Sequence, residues 1–200
     1  MYLSRMKPSQ RAREILRAEA QAILNVPLSD EFDKVVNLIA RMGHRKVLLT
    51  GMGKAGNIAR KVTGTLCSTG TPACFLHPGE AAHGDLGLVS PGDLLLAFST
   101  SGKTREVLET IQLARRLGAS TVVAVTSHPD APIRNLADYV LELGEIEEPC
   151  YLGLTPTAST TAMLALGDAL ALCIMGKNNI SKEDYGLRHH GGYLGEIARE

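Results

Sequence analysis

The feature that most constrains this chain is its alternation of short, unbroken apolar runs with stretches of helical period. The runs fall at residues 46–50, 72–76, 94–98, 121–125 and 139–143. Each is apolar at successive positions, so both faces of such a strand need covering. Between them, residues 54–68, 104–117 and 159–175 carry helical spacing, with Gly118 and Gly176 as stops. Doubly apolar strands joined by helices predict a parallel sheet with helices on both sides. The expected architecture is a three-layer α/β/α sandwich of about five parallel strands, with 139–143 near an edge. Two helices precede it. One covers 10–24, with Ile15, Leu16, Ala20 and Ile23 in period; the other covers 30–42 behind the cap Ser29, with Phe32, Val35, Val36 and Ile39 on one face. Asn25-Val26-Pro27 breaks the chain between them, and Gly43 ends the second.

At 200 residues and 44% hydrophobic, the chain is long enough for one packed domain and too apolar for wholesale disorder. It divides into N-terminal helices (1–43), an α/β core (44–178) and a polar, glycine-rich C-terminal segment (179–200) with a short helix near Lys182. Equal numbers of basic and acidic residues, 21 each, argue against a dedicated nucleic-acid or membrane-surface binder. No unbroken apolar run reaches the ~18 residues of a membrane span. Residues 1–19 are too charged for a secretory signal. Cys67, Cys74, Cys150 and Cys173 show no CxxC spacing, so they read as small hydrophobes in a reduced cytoplasmic compartment.

Parallel sheets of this kind bind ligands beyond the carboxyl ends of their strands. After the first strand comes Gly51-Met52-Gly53-Lys54-Ala55-Gly56, a literal G-x-G-x-x-G between strand and helix. Such glycines let backbone approach a phosphate, and Lys54 adds a positive charge; a ligand-free tight turn has the same look. A nicotinamide site also needs an acid at the end of strand two, about 20 positions on, where this chain has Leu76-His77-Pro78. After the third strand comes Ser99-Thr100-Ser101-Gly102-Lys103-Thr104, hydroxyls and a glycine around a helix start. Capping accounts for one hydroxyl; a phosphate cradle accounts for more. Between these lie His77, Glu80, His83 and Asp85, whose spacing matches no standard zinc motif. His77 reads as a backbone-bonding histidine and His83 as an acid–base candidate. Glu106, in a first helical turn, gains from the helix dipole, and the residues alone ask no more of it. Thr155-Pro156-Thr157-Ala158-Ser159-Thr160-Thr161 opens the last long helix, and Arg188-His189-His190-Gly191-Gly192 lies near the end.

Taken together, these segments resemble the sugar isomerase (SIS) domain family. The matching stretches are the glycine turn, Ser68-Thr69-Gly70-Thr71-Pro72, the residues from His77 to Gly87, the Ser99–Glu106 stretch and the threonine-rich start at 155–162. Within that family the likeness is to D-arabinose 5-phosphate isomerases and covers residues 10–195. The resemblance implies the flavodoxin-like SIS fold. It implies a cofactor-independent, metal-independent aldose–ketose isomerisation of D-ribulose 5-phosphate to D-arabinose 5-phosphate, supplying the octulosonate of lipopolysaccharide. Longer relatives carry a CBS pair, before which this chain ends, so the short form is expected. Carried over by position, the family's catalytic residues fall on Lys54, His83, Glu106 and His189. The sugar-phosphate contacts fall on Gly53, Ser99, Thr100, Ser101, Thr104, Thr157 and Ser159. One departure is His190, where the family has proline.

Isomerisation needs a base beside the carbonyl and a group that stabilises the enediolate. Glu106 or His189 suits the first task, and the residues do not choose between them; Lys54 suits the second, or a grip on phosphate. The resemblance also implies a homo-oligomer, a tetramer by preference, in which His189 reaches a neighbour's site. Two other readings stand beside this one: an isomerase of a hexulose or heptose phosphate, and a non-catalytic sugar-phosphate sensor. The residues ahead of Lys46 are too few for the helical DNA-binding module that regulatory members carry.

Overall fold

The computed structural model describes residues 7–198. Expectations for residues 1–6 and 199–200, including the first part of the expected non-secretory N-terminus, lie outside them. The chain runs α1 (Pro8–Leu24), α2 (Asp30–Ala40), β1 (Val47–Gly51), α3 (Gly53–Ser68), β2 (Ala73–Phe75), α4 (Pro78–Ala81), β3 (Leu94–Phe98), α5 (Arg105–Arg116), β4 (Thr121–Thr126), β5 (Tyr139–Glu142), α6 (Ala158–Lys177), α7 (Lys182–Arg188) and α8 (Tyr193–Ile197). The five strands pair in parallel in the order β2-β1-β3-β4-β5, so β5 is an edge strand as the sequence implies.

The pleat sorts the strand residues between two cores. Val47, Leu49, Leu94, Leu96, Phe98, Val123 and Val125 face α2, α3 and α6. Leu48, Leu95, Ala97, Val122 and Ala124 face α4, α5 and the turn around Ile133. That is why successive residues of these strands are all apolar. Ser29 caps α2 by accepting from the Glu31 amide at 3.3 Å, worth about 1 kcal/mol. At the lower end of the sheet, buried Asp93 accepts from the amides of Lys46 and Ser90 and pairs with the Lys46 ammonium, pinning the start of β1 to that of β3.

Three expectations shift. Gly176 does not end α6, which runs to Lys177 before Asn178 caps it; a Cβ there would meet nothing, so helix continues through it. α2 stops at Ala40 rather than Met42. The stretch after β2 is not all loop, because Pro78 starts a short helix capped by His77. Among the described residues α6 alone is long and apolar enough to cross a membrane, with a mean hydropathy of 1.6. It lacks an unbroken apolar run because Gly167 and Asp168 interrupt it. It is instead the central helix of one core, packed against α1, α2 and α3.

Candidate active site

Strand order reverses between β1 and β3, since α3 carries the chain outward to β2 before β3 pairs on the other side. This switch point opens a crevice at the carboxyl ends of both strands. Gly51 lies in register with Phe98, so the glycine turn and the 99–104 loop begin side by side. Gly53 starts α3 with φ +57, a left-handed conformation that suits glycine. Gly56 lies so close to β1 that a Cβ would overlap the Gly51 carbonyl oxygen and sit 3.0 Å from its carbon. The tight turn seats Lys54 in the first turn of α3, on the wall of a cleft of about 300 Å³. Opposite it stand Ser99, Thr100, Ser101 and Thr104.

Part of the hydroxyl loop holds itself. Ser99, 3% exposed, accepts from the Gly102 amide at 3.1 Å and shares a 3.0 Å bond with the Thr104 hydroxyl. Ser101 accepts from the Lys103 amide at 3.3 Å. Bonds within the loop therefore engage Ser99, Ser101 and Thr104, while none of these hydroxyls caps α5. A rigid loop of this kind presents its hydroxyls pre-organised, which lowers the ordering cost of binding an anion.

Beside the cleft lies a second cavity of about 720 Å³, which shares Thr100, Ser101 and Pro156 with it and extends over the ends of β4 and β5. Its wall contains Glu148, a residue that sequence reading did not single out. The Glu148 carboxylate accepts from the amides of Thr157 (2.8 Å), Ala158 (2.9 Å) and Ser159 (3.2 Å), and so caps α6. Partial burial raises its pKa; the Ser159 hydroxyl and those amides outweigh this and hold the carboxyl below its usual range. The free amides of a helix start attract a negative charge, and here the chain supplies it internally. Thr157 serves Glu148 through its amide, and Ser159 serves it through both amide and hydroxyl while lining the larger cavity. The Thr157 hydroxyl is buried without a partner among the described residues, and Ser159 is 2% exposed. It is Thr160 that lines the Lys54 cleft. The visible signal for Glu148 was the pair Glu147-Glu148 shortly before a hydroxyl-rich helix start.

The remaining candidates sit elsewhere within one chain. His83 is exposed just after α4, and Glu106 is exposed in the first turn of α5; neither lines the two cavities. His77 accepts from the Gly79 amide at 3.2 Å, the backbone role expected of it. His189 caps α7, its Nδ1 2.9 Å from the Tyr185 carbonyl and its ring stacked on Tyr185 at 3.9 Å. α7 begins beside Gly70, where a Cβ would touch Ile180 and the Arg188 side chain. Gly70 lies just beyond the far end of α3, a 16-residue helix, hence about 24 Å from Lys54. The structure therefore brings Lys54 and the 99–104 loop together and leaves His189 at the opposite end of the same chain.

Cys74 packs against the core that holds Leu48 and Ile133, as a small hydrophobe would, while the other three cysteines depart from that expectation. Cys67 and Cys173 are exposed. Cys150 sits two residues after Glu148, and its sulfur accepts from the amides of Leu154 and Thr155, each at 3.2 Å. Those amides pull its pKa down to about 7. Among the described residues no three His, Cys, Asp or Glu side chains gather to hold a metal ion.

A family model for the SIS domain matches residues 42–173. Arabinose 5-phosphate isomerase KdsD of Yersinia pestis is 40% identical over 188 residues, which cover 93% of this chain and 57% of that protein. The chain thus spans little more than half the length of the curated relatives it matches. Among solved structures, a putative phosphosugar isomerase involved in capsule formation from Bacteroides fragilis superposes with a TM-score of 0.89 at 46% identity, covering 94% of this chain and 100% of that one. An Escherichia coli CFT073 protein in complex with arabinose 5-phosphate gives a TM-score of 0.85 at 33% identity, covering 92% of this chain and 100% of that one. With the family model spanning most of the α/β core and the candidate cleft lying within it, this chain belongs to the SIS domain family.

Proposed function

We propose that the chain is an aldose–ketose isomerase that interconverts D-ribulose 5-phosphate and D-arabinose 5-phosphate through an enediol. The observation that carries this is the switch-point cleft, where a lysine faces a rigid hydroxyl loop at a helix start. The names of the relatives supply the substrate class. The 99–104 loop holds the phosphate, with Ser101 and Thr104 as side-chain contacts and the Gly53 turn beside them. Lys54 stabilises the enediolate oxygen or grips the phosphate. Glu148, held ionised, is a poor proton shuttle, because a shuttle wants a pKa near the working pH. Of the two expected bases, Glu106 and His189, we take His189 to carry the proton, delivered to the cleft by a second copy of the chain, with Glu106 and His83 joining the site on assembly. Exposed Leu16, Leu24, Leu187 and Tyr193 support an oligomer, which we take to be a tetramer. The domain limits 1–43, 44–178 and 179–200, the cytoplasmic location and the supply of an octulosonate sugar belong to the same reading.

The test is turnover across a panel of sugar phosphates, followed by mixing of two inactive variants. Ribulose 5-phosphate should outpace fructose 6-phosphate and sedoheptulose 7-phosphate by orders of magnitude; the reverse order selects the hexulose or heptose reading, and binding without turnover selects the sensor. Lys54→Ala and His189→Ala should each be nearly inactive alone and regain turnover when unfolded and refolded together. Failure of the mixture removes His189 from the neighbour's site.

A further inference from the structure

The larger cavity has a wall that the proposed chemistry does not use: Ser127 and His128, at the end of β4. We infer that this pair reads a hydroxyl on the carbon chain of the phosphosugar and is a specificity determinant of the site. The inference rests on the sugar-phosphate reading of the cleft but not on catalysis.

The Thr100 carbonyl, inside the hydroxyl loop, accepts from the Thr126 hydroxyl at 3.0 Å, the Ser127 amide at 3.0 Å and His128 Nδ1 at 3.1 Å. Thr126 is fully buried, so this junction is rigid. It ties the 126–128 segment to the loop that would hold the phosphate. β3 and β4 are neighbours, and neighbouring strand ends lie about 5 Å apart, a gap a pentose chain bridges. The two segments therefore act as a ruler between a phosphate at one end and a hydroxyl at the other.

The same junction fixes the chemistry at the far end. A carbonyl only accepts, so Nδ1 of His128 carries the proton that bonds Thr100, and Nε2 is the ring atom left to meet a ligand hydroxyl, a group that both donates and accepts. His128 is exposed and lines the cavity, so that ring nitrogen is available to a ligand. The Ser127 hydroxyl oxygen is buried with no partner among the described residues. Such a hydroxyl gains from a partner, and one turn about χ1 brings it to the cavity wall. The cavity is also lined by Glu145 and Glu148, and by no Lys or Arg among the described residues. Two carboxylates repel a second anion, so the ligand group beside Ser127 and His128 is an uncharged, hydroxylated chain.

The test is calorimetric titration with D-arabinitol 5-phosphate, which has no carbonyl to isomerise, and with inorganic phosphate. Ser127→Ala removes the hydroxyl. His128→Asn keeps an N–H near the position of Nδ1 and removes the Nε2 contact. Each variant should weaken arabinitol 5-phosphate about tenfold and change phosphate affinity less than twofold. Wild-type affinity for the polyol phosphate in both variants would overturn the inference, as would equal losses for both ligands, which would mark a structural role. Ser127-dependent binding in a wild-type chain that fails to isomerise ribulose 5-phosphate would defeat the isomerase reading and leave this one standing.

Discussion

Gly56→Ala isolates the close approach that seats Lys54. The new Cβ would overlap the Gly51 carbonyl oxygen, a backbone atom of a buried strand with no rotamer to yield. Restoring ordinary contact requires α3 to move from β1 by on the order of 1 Å. Overpacking of this kind costs about 1–3 kcal/mol, against a gain of up to about 1 kcal/mol in helix propensity. Gly64→Ala in the same helix is the control, because a Cβ there meets nothing within 4 Å. It should stabilise by about 0.4–1 kcal/mol. For a chain of this size 1 kcal/mol corresponds to about 2–4 °C in Tm. Differential scanning calorimetry should therefore show Gly64→Ala melting slightly above wild type and Gly56→Ala several degrees below it. The same displacement carries Lys54 away from the hydroxyl loop, so kcat/KM of Gly56→Ala should fall on the order of ten- to a hundredfold. A Gly56→Ala protein as stable and as active as wild type would refute this account of the turn.

Ser101→Ala should raise KM more than it lowers kcat, because in the proposed function this hydroxyl contacts a phosphate that does not react; steady-state kinetics with loss confined to kcat would contradict that role. Cys150 should be alkylated by iodoacetamide with a midpoint near pH 7, read by peptide mass spectrometry, since two amides stabilise its thiolate. A midpoint at the usual thiol value would remove the amide interaction. Glu148 has a depressed pKa in the folded chain. Its stabilising contribution is therefore present above the unfolded carboxylate's pKa and lost as pH falls through the folded value. Glu148→Gln should cost about 0.5–1 kcal/mol near neutral pH, since the site is only partly shielded, and the gap to wild type should close in acid. A constant gap across the pH range would show that charge is not what caps α6.

Much of the fold was legible because burial on both faces leaves a direct mark: 47–49, 94–98 and 122–125 are apolar at every position, and no surface strand tolerates that. The rule placing ligands at strand ends marks Lys54 and the 99–104 loop, which the fold brings to one cleft. Glu148 escaped because it lies between β5 and α6, where no periodicity marks a position and a glutamate reads as solvent-facing. Its role depends on amides nine to eleven residues away, which only the folded chain brings together. Cys150 was missed for the same reason: its partners are amides, and amides are invisible in a sequence. Gly176 misled because glycine marks a helix end only where the backbone turns left-handed, and here Asn178 ends the helix instead.

The central claim is proton exchange at a carbon beside the sugar carbonyl, carried out in the switch-point cleft. Purified protein incubated with D-ribulose 5-phosphate in deuterated water, followed by proton NMR, tests it directly. The expected result is arabinose 5-phosphate carrying deuterium at carbon 2, and loss of that signal in Lys54→Ala. Unchanged ribulose 5-phosphate with no deuterium incorporated, in a protein that melts cooperatively and binds arabinitol 5-phosphate, would contradict it.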